Sequence, residues 1–193
     1  MEKSKEKKVD EIHQPRTIPT WVQELVQQLN GTEPCFIMTK NLTKTDLDAN
    51  QNRLLINTGY VKAHLIPFLS DEEKAAASLL DYERKRKKPV DSGGGVEEQP
   101  EGEAAKEEEK KKKAGRKHRG LRVPVYVGAN KWKAHVLLAS WDSSNGTVLK
   151  GGEYSRYLAR WSGLNKGDKV ELWGFREGEM RRPCFALHRN ESS

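Results

Sequence analysis

Apolar positions fall into two regimes along the chain, separated by a long polar stretch. In TIPTWVQELVQQLNG (17–31), Trp21, Leu25 and Leu29, with Val22 and Val26, recur at helical spacing and predict a short amphipathic helix. Thr20 followed by Gln23 reads as a capping box, and Asn30-Gly31 reads as a stop. CFIMT (35–39) and RLLIN (53–57) are strand-length apolar runs, with the polar, turn-like LTKTDLDANQN (42–52) between them. VKAHLIPFL (61–69) is apolar and broken by Pro67. Ser70 with Glu73 forms a second capping box. The acidic first turn and basic last turn that follow suit a helix dipole, so a helix is expected over residues 71–86.

Beyond residue 120 the period shortens. VPVYV, KAHVLLASW, TVLKG, KVELWGF and CFALH are strand-length runs, and NKGD (165–168) and REGE (176–179) carry turn chemistry between them. Short strands at this spacing predict an antiparallel barrel or sandwich. Neither half has enough strands to close alone, so both belong to one mainly β domain, residues 18–188. Residues 87–120, rich in Gly, Glu and Lys, cannot bury apolar area and are expected to be a disordered insert in it. Residues 1–17 and 189–193 are expected to be tails. The four tryptophans in the β-rich half, Trp132, Trp141, Trp161 and Trp173, are assigned to the core, because sheet aromatics mostly pack.

Charge alters this picture in one respect. The net formal charge is +7, and residues 121–193 carry twelve Lys and Arg against seven Asp and Glu, a net of +5. The same stretch is aromatic, as expected for an ordered surface facing an anionic partner rather than for a solvated tail. No apolar run approaches the length of a membrane-spanning helix, so no membrane role is expected. The charged opening MEKSKEKKVDEIHQ lacks an apolar core and is not expected to be a secretory signal. Cys35 and Cys184 cannot make a disulfide framework and read as buried free thiols of a reducing compartment.

Catalytic chemistry is missing from the pattern. Gly93-Gly94-Gly95 leads into acidic sequence rather than a helix, so it is no phosphate loop. There is no CxxC, HExxH or paired His/Cys spacing, and the five histidines are scattered, which argues against a metal site. No nucleophile, base and orienting group stand at recognisable spacing. The expectation is a protein with no enzymatic activity and no cofactor.

Two basic clusters stand at the start of the insert and within it: Arg84, Lys85, Arg86, Lys87 and Lys88, then Lys110, Lys111, Lys112, Lys113, Arg116 and Lys117. They are candidate nuclear import signals. Two further segments carry a resemblance. Lys40, Leu42, Thr43, Thr45, Asp46, Asn52, Arg53, Leu54 and Ile56 match a KxLTxSDV…RLVIP-like segment. Leu164, Gly167, Asp168, Val170, Leu172, Trp173, Phe175 and Arg176 match LxxGDxVxLWxFR. The chain thereby resembles the plant B3 DNA-binding domain, in the branch that opens with a helix.

The resemblance implies a seven-stranded open, pseudo-barrel sheet of B3 type with short flanking helices. It also implies a nuclear, transcription-regulating partner of double-stranded DNA whose two arms enter the major groove. The first arm is residues 44–53 and the second is the hairpin region near residues 150–156. Asn, Gln and Arg can pair with base edges, which nominates Gln51, Asn52 and Arg53 as base readers. Lys40, Lys44, Lys150, Arg156 and Arg160 are nominated for phosphates, and Thr45 and Tyr154 complete the candidate contact set. Only SGLNK separates Trp161 from Gly167-Asp168. That short spacer and the long insert leave a second reading open, a B3-like protein-interaction module with nuclear protein partners that has lost specific DNA binding. The sequence leaves the oligomeric state open.

Overall fold

The computed structural model describes residues 16–80, 82, 120–141, 146–151, 153–154 and 162–190. Helix α1 (Thr20–Gln28) precedes strand β1 (Cys35–Asn41), the one-turn helix α2 (Lys44–Leu47) and strand β2 (Arg53–Ile56). A helical run α3 follows in three pieces: Thr58–Tyr60, a π-helical turn Val61–Leu65, and Ile66–Phe68. Helix α4 is Asp71–Ala76, and the remaining strands are β3 (Leu121–Val127), β4 (Trp132–Trp141), β5 (Gly146–Lys150), β6 (Lys169–Glu177) and β7 (Arg182–Arg189).

The seven strands form one sheet in the order β1-β6-β7-β3-β4-β5-β2. All ladders are antiparallel except β3 with β7. The sheet curls into a nearly closed barrel whose edges are β1 and β2. Across that seam the Lys40 ammonium on β1 donates to the Leu55 carbonyl on β2 at 3.1 Å.

Period-2 alternation sorts the side chains. Val123, Val125, Val127, Val170, Leu172, Phe185 and Leu187 point into the barrel with Ile37, Leu54 and Leu149. Alternate residues of the same strands, Tyr126, Trp173, Phe175, Cys184 and Ala186, point outward and are covered by Val22, Leu25 and Val26 of α1. Strands buried on both faces read as continuous apolar runs, which is why CFAL and VELWGF show no polar alternation. Burying the three α1 side chains contributes roughly 1.5–3 kcal/mol each.

The helices depart from expectation at their ends. Pro19 is the N-cap of α1, with no side-chain cap, and Thr20 is already helical; the expected Thr20–Gln23 box does not form. The Asn30-Gly31 stop does form: Asn30 has φ 48°, and Gly31 N–H returns to the Val26 carbonyl at 2.8 Å. The Ser70–Glu73 capping box is present, but α4 ends at Ala76, ten residues before the expected end. Ser78 takes φ 59°, its N–H bonds to Ala75 O at 3.1 Å, and Leu79 N–H bonds to Lys74 O at 2.7 Å. This Schellman geometry turns the chain so that Leu79 enters the core and Ser140 N–H on β4 takes the Ala77 carbonyl. Arg176 fastens the helices to β6: it pairs with Glu73, donates to Phe68 O at 2.5 Å and stacks on the Phe68 ring at 4.7 Å.

Two core assignments are corrected. Trp173 is fully packed, but Trp132, the first residue of β4 after a turn, is 41% exposed. Cys184 is buried, whereas Cys35, at the open start of edge strand β1, is exposed.

Candidate functional site

Residues 42–52 form an ordered platform rather than a plain turn. Thr43 caps α2, and its box with Asp46 is reciprocal: Asp46 N–H reaches Thr43 Oγ1 at 3.3 Å, and Thr43 N–H reaches Asp46 Oδ2 at 2.9 Å. Thr43 Oγ1 also donates to Asp46 Oδ2 at 2.6 Å. Lys40 adds its ammonium to Asp46 Oδ1 at 2.5 Å. Burial alone would raise the Asp46 carboxyl. The Lys40 ammonium and the two Thr43 donors outweigh it and hold the group below its ordinary range. Farther along, Asp48 Oδ1 accepts from Asn50 N–H at 2.8 Å and Asp48 O from Asn52 N–H at 2.9 Å, while Asn52 adopts φ 46°. Asn tolerates that left-handed conformation better than most residues. The loop's base is tied to the NKGD turn by Leu42 N–H to Asp168 O and Gly167 N–H to Leu42 O, at 2.9 and 2.8 Å.

This platform leaves Lys44, Thr45 and Gln51 exposed and Asn52 and Arg53 half-exposed. Lys40 is different: its ammonium is spent on Asp46 and the β1–β2 seam. In the β2–β5 ladder Arg53 stands directly opposite Lys150. Trp141 on neighbouring β4 serves both cations: the Arg53 guanidinium lies 4.5 Å and the Lys150 ammonium 5.1 Å from its ring centre. Like charges directly opposite destabilise a ladder, and the indole face offsets part of that repulsion.

Tyr154 comes from just beyond β5. It is 3% exposed, and its hydroxyl donates to the Asp46 backbone carbonyl at 2.7 Å. Burial, reinforced by the nearby Asp46 charge, pushes the phenol well above its ordinary range, so it remains a donor. A side chain this deep has no surface to offer a ligand; its contact is with the first arm. Beside it, Glu153 accepts from His135 N–H and lies 3.6 Å from the His135 ring nitrogen.

The structure thus gathers Lys44, Thr45, Gln51, Asn52, Arg53 and Lys150 at one end of the β2–β5 ladder. Arg156 and Arg160 lie outside the described residues, as do the basic clusters Arg84–Lys88 and Lys110–Lys117. Sequence reasoning missed the Asp46 hub and the part played by Trp141. The Thr43-x-x-Asp46 spacing was a usable signal for the hub. Nothing local marked Trp141, which meets its two cations only through strand pairing. Among the described residues no group of His, Cys, Asp and Glu could hold a metal ion.

Residues 14–94 match the family described as B3 domain-containing protein At2g31720-like. B3 domain-containing protein At1g05920 of Arabidopsis thaliana is 27% identical over 170 residues, 88% of this chain and 44% of that protein, so the chain spans less than half the length of its curated relative. Among solved structures, the Arabidopsis FUS3-DNA complex superposes with a TM-score of 0.41 at 11% identity, covering 82% of this chain and 100% of that one. The chain is thus similar in sequence to plant B3 domain-containing proteins, through the family match over residues 14–94 and the 27% identity across most of its length.

Proposed function

We propose that this chain binds double-stranded DNA through the face built from residues 44–53 and Lys150, and that it acts in the nucleus as a non-enzymatic regulator of transcription. One observation carries the reading: Arg53 and Lys150 are held opposite one another at the foot of an ordered polar loop. Two cations held side by side in this way suit a polyanion, whose phosphates can pair with both. Gln51, Asn52 and Arg53 have the donors and acceptors to read base edges, and the major groove, about 12 Å wide, admits such a loop. Lys44 and Lys150 suit phosphates. The family resemblance points to the same partner.

Selection from random duplexes at two salt concentrations tests the proposal. A motif should be enriched. Arg53→Ala and Asn52→Ala should relax preference at one position each, by roughly 1–3 kcal/mol. Lys150→Ala should weaken all duplexes alike and lower the salt slope by about one. Selection that enriches nothing would sink the DNA reading. A fluorescent fusion lacking both basic clusters should lose nuclear accumulation.

A further inference from the structure

Among the described residues, a side-chain hydrogen bond joins the two arms beyond the β2–β5 ladder, between residues 108 apart in sequence: Tyr154 Oη donates to Asp46 O. Asp46 is the hub of the first arm, because its carboxylate gathers Lys40, Thr43 N–H and the Thr43 hydroxyl. Its backbone carbonyl lies in the last turn of a four-residue helix, where intrahelical partners are missing. Tyr154 supplies the donor from the other arm. A phenylalanine would fill the same space in the core, so packing alone does not account for the hydroxyl.

We infer that Tyr154 is a positioning residue: its hydroxyl locks α2, at the start of the loop of residues 44–53, to the chain leaving β5, and so sets where Lys44, Thr45 and Gln51 stand relative to the Arg53–Lys150 pair that the β2–β5 ladder already fixes. This deepens the DNA-binding reading and rests on it. With the lock in place, base-reading and phosphate-binding groups meet a duplex in one geometry. Without it, each arm still carries its charge and the ladder still pairs Arg53 with Lys150, but the loop from Lys44 to Gln51 loses its second anchor. The consequence is a division of effects: specific recognition depends on the hydroxyl, whereas charge-driven binding does not.

The test compares the full chain with Tyr154→Phe, using the selected duplex and a scrambled duplex over a salt series. Tyr154→Phe should lower the ratio of specific to non-specific affinity by about tenfold, the range expected when one buried acceptor loses its donor. Non-specific affinity and salt slope should not move. Cys184→Ala, a cavity under α1 remote from the arms, controls for general destabilisation and should keep the ratio. Hydrogen exchange across residues 44–53 should quicken by about tenfold in Tyr154→Phe, with or without DNA. Unchanged exchange, or a ratio unchanged while the wild type discriminates, overturns the lock. A wild type that binds both duplexes equally overturns the DNA reading itself, and that outcome is recognisable without the variant.

Discussion

Replacing Lys40 by Met removes the ammonium from the Asp46 hub while keeping an apolar stem of similar length. Asp46 is 4% exposed in its side chain and Lys40 19%, with 2.5 Å between the charged atoms. Stripping one partner from a fully buried pair costs about 3–5 kcal/mol. Here the two Thr43 donors remain and the lysine is partly wet, which brings the expected loss to about 2–3 kcal/mol. The hydrogen bond to Leu55 O adds little, because that carbonyl can rehydrate. For a domain of this size the melting temperature should fall by about 10 °C.

The pH dependence gives the sharper check. In the wild type the Asp46 folded pKa lies below the ordinary 3.8. The pair therefore stabilises the fold above pH 3.8, and that contribution is lost as pH falls through the lower folded value. Without Lys40, burial is opposed by the Thr43 donors alone and the folded value rises. The stabilisation that Asp46 gives above pH 3.8 shrinks accordingly. The penalty of Lys40→Met, read by urea denaturation, should be largest at pH 7 and smaller at pH 3. Adding Asp46→Asn should recover much of it at pH 7. An equal penalty at both pH values, or a loss below about 0.5 kcal/mol at pH 7, would refute the hub.

Three further outcomes follow from the geometry. Trp141→Leu removes two cation–π contacts of about 0.5–1 kcal/mol each; it should lower stability by about 1–2 kcal/mol and weaken duplex binding, as read by urea denaturation and fluorescence anisotropy. Ser78→Gly relieves a left-handed backbone at an exposed helix end and should raise stability by about 0.5–1 kcal/mol, whereas Ser78→Val should lower it. Burial and then the Glu177 carboxylate push the Cys184 thiol up to about 12. At pH 8 a thiol reagent should therefore label Cys35 slowly in the native protein, and Cys184 only on unfolding.

The strands and their burial were legible in the chain because apolar runs of strand length are bounded by Gly, Asn and Asp turns. Asn30-Gly31 announced the end of α1 through residues that tolerate the left-handed region. Ser78 did not announce the end of α4. Its neighbours, AAASLLDYERK, keep a helical pattern, and the chain turns there because Leu79 and Ala77 are claimed by the barrel. Thr20 missed its cap by one residue, since Pro19 already supplies the extended entry. At the site, Lys44, Gln51 and Arg53 could be nominated from residue type and loop position. That Lys40 turns inward rests on Asp46, a partner only six residues away that residue type alone did not single out, whereas Trp141 sits beneath Arg53 and Lys150 through registers between strands up to about a hundred residues apart, which no local window contains.

The strand order has a consequence for biosynthesis. β1 pairs with β6 and β2 with β5, so neither finds a ladder partner among the described residues of the first 120. A ribosome that has delivered everything through the insert has released two bare, apolar strands with nothing to zip against, the state in which nascent chains most need a chaperone. Conversely, a protease cut within the insert would sever the polypeptide yet leave both ladders bridging the cut, six residue pairs on one side and four on the other. The two fragments would stay joined as a noncovalent complex until denatured.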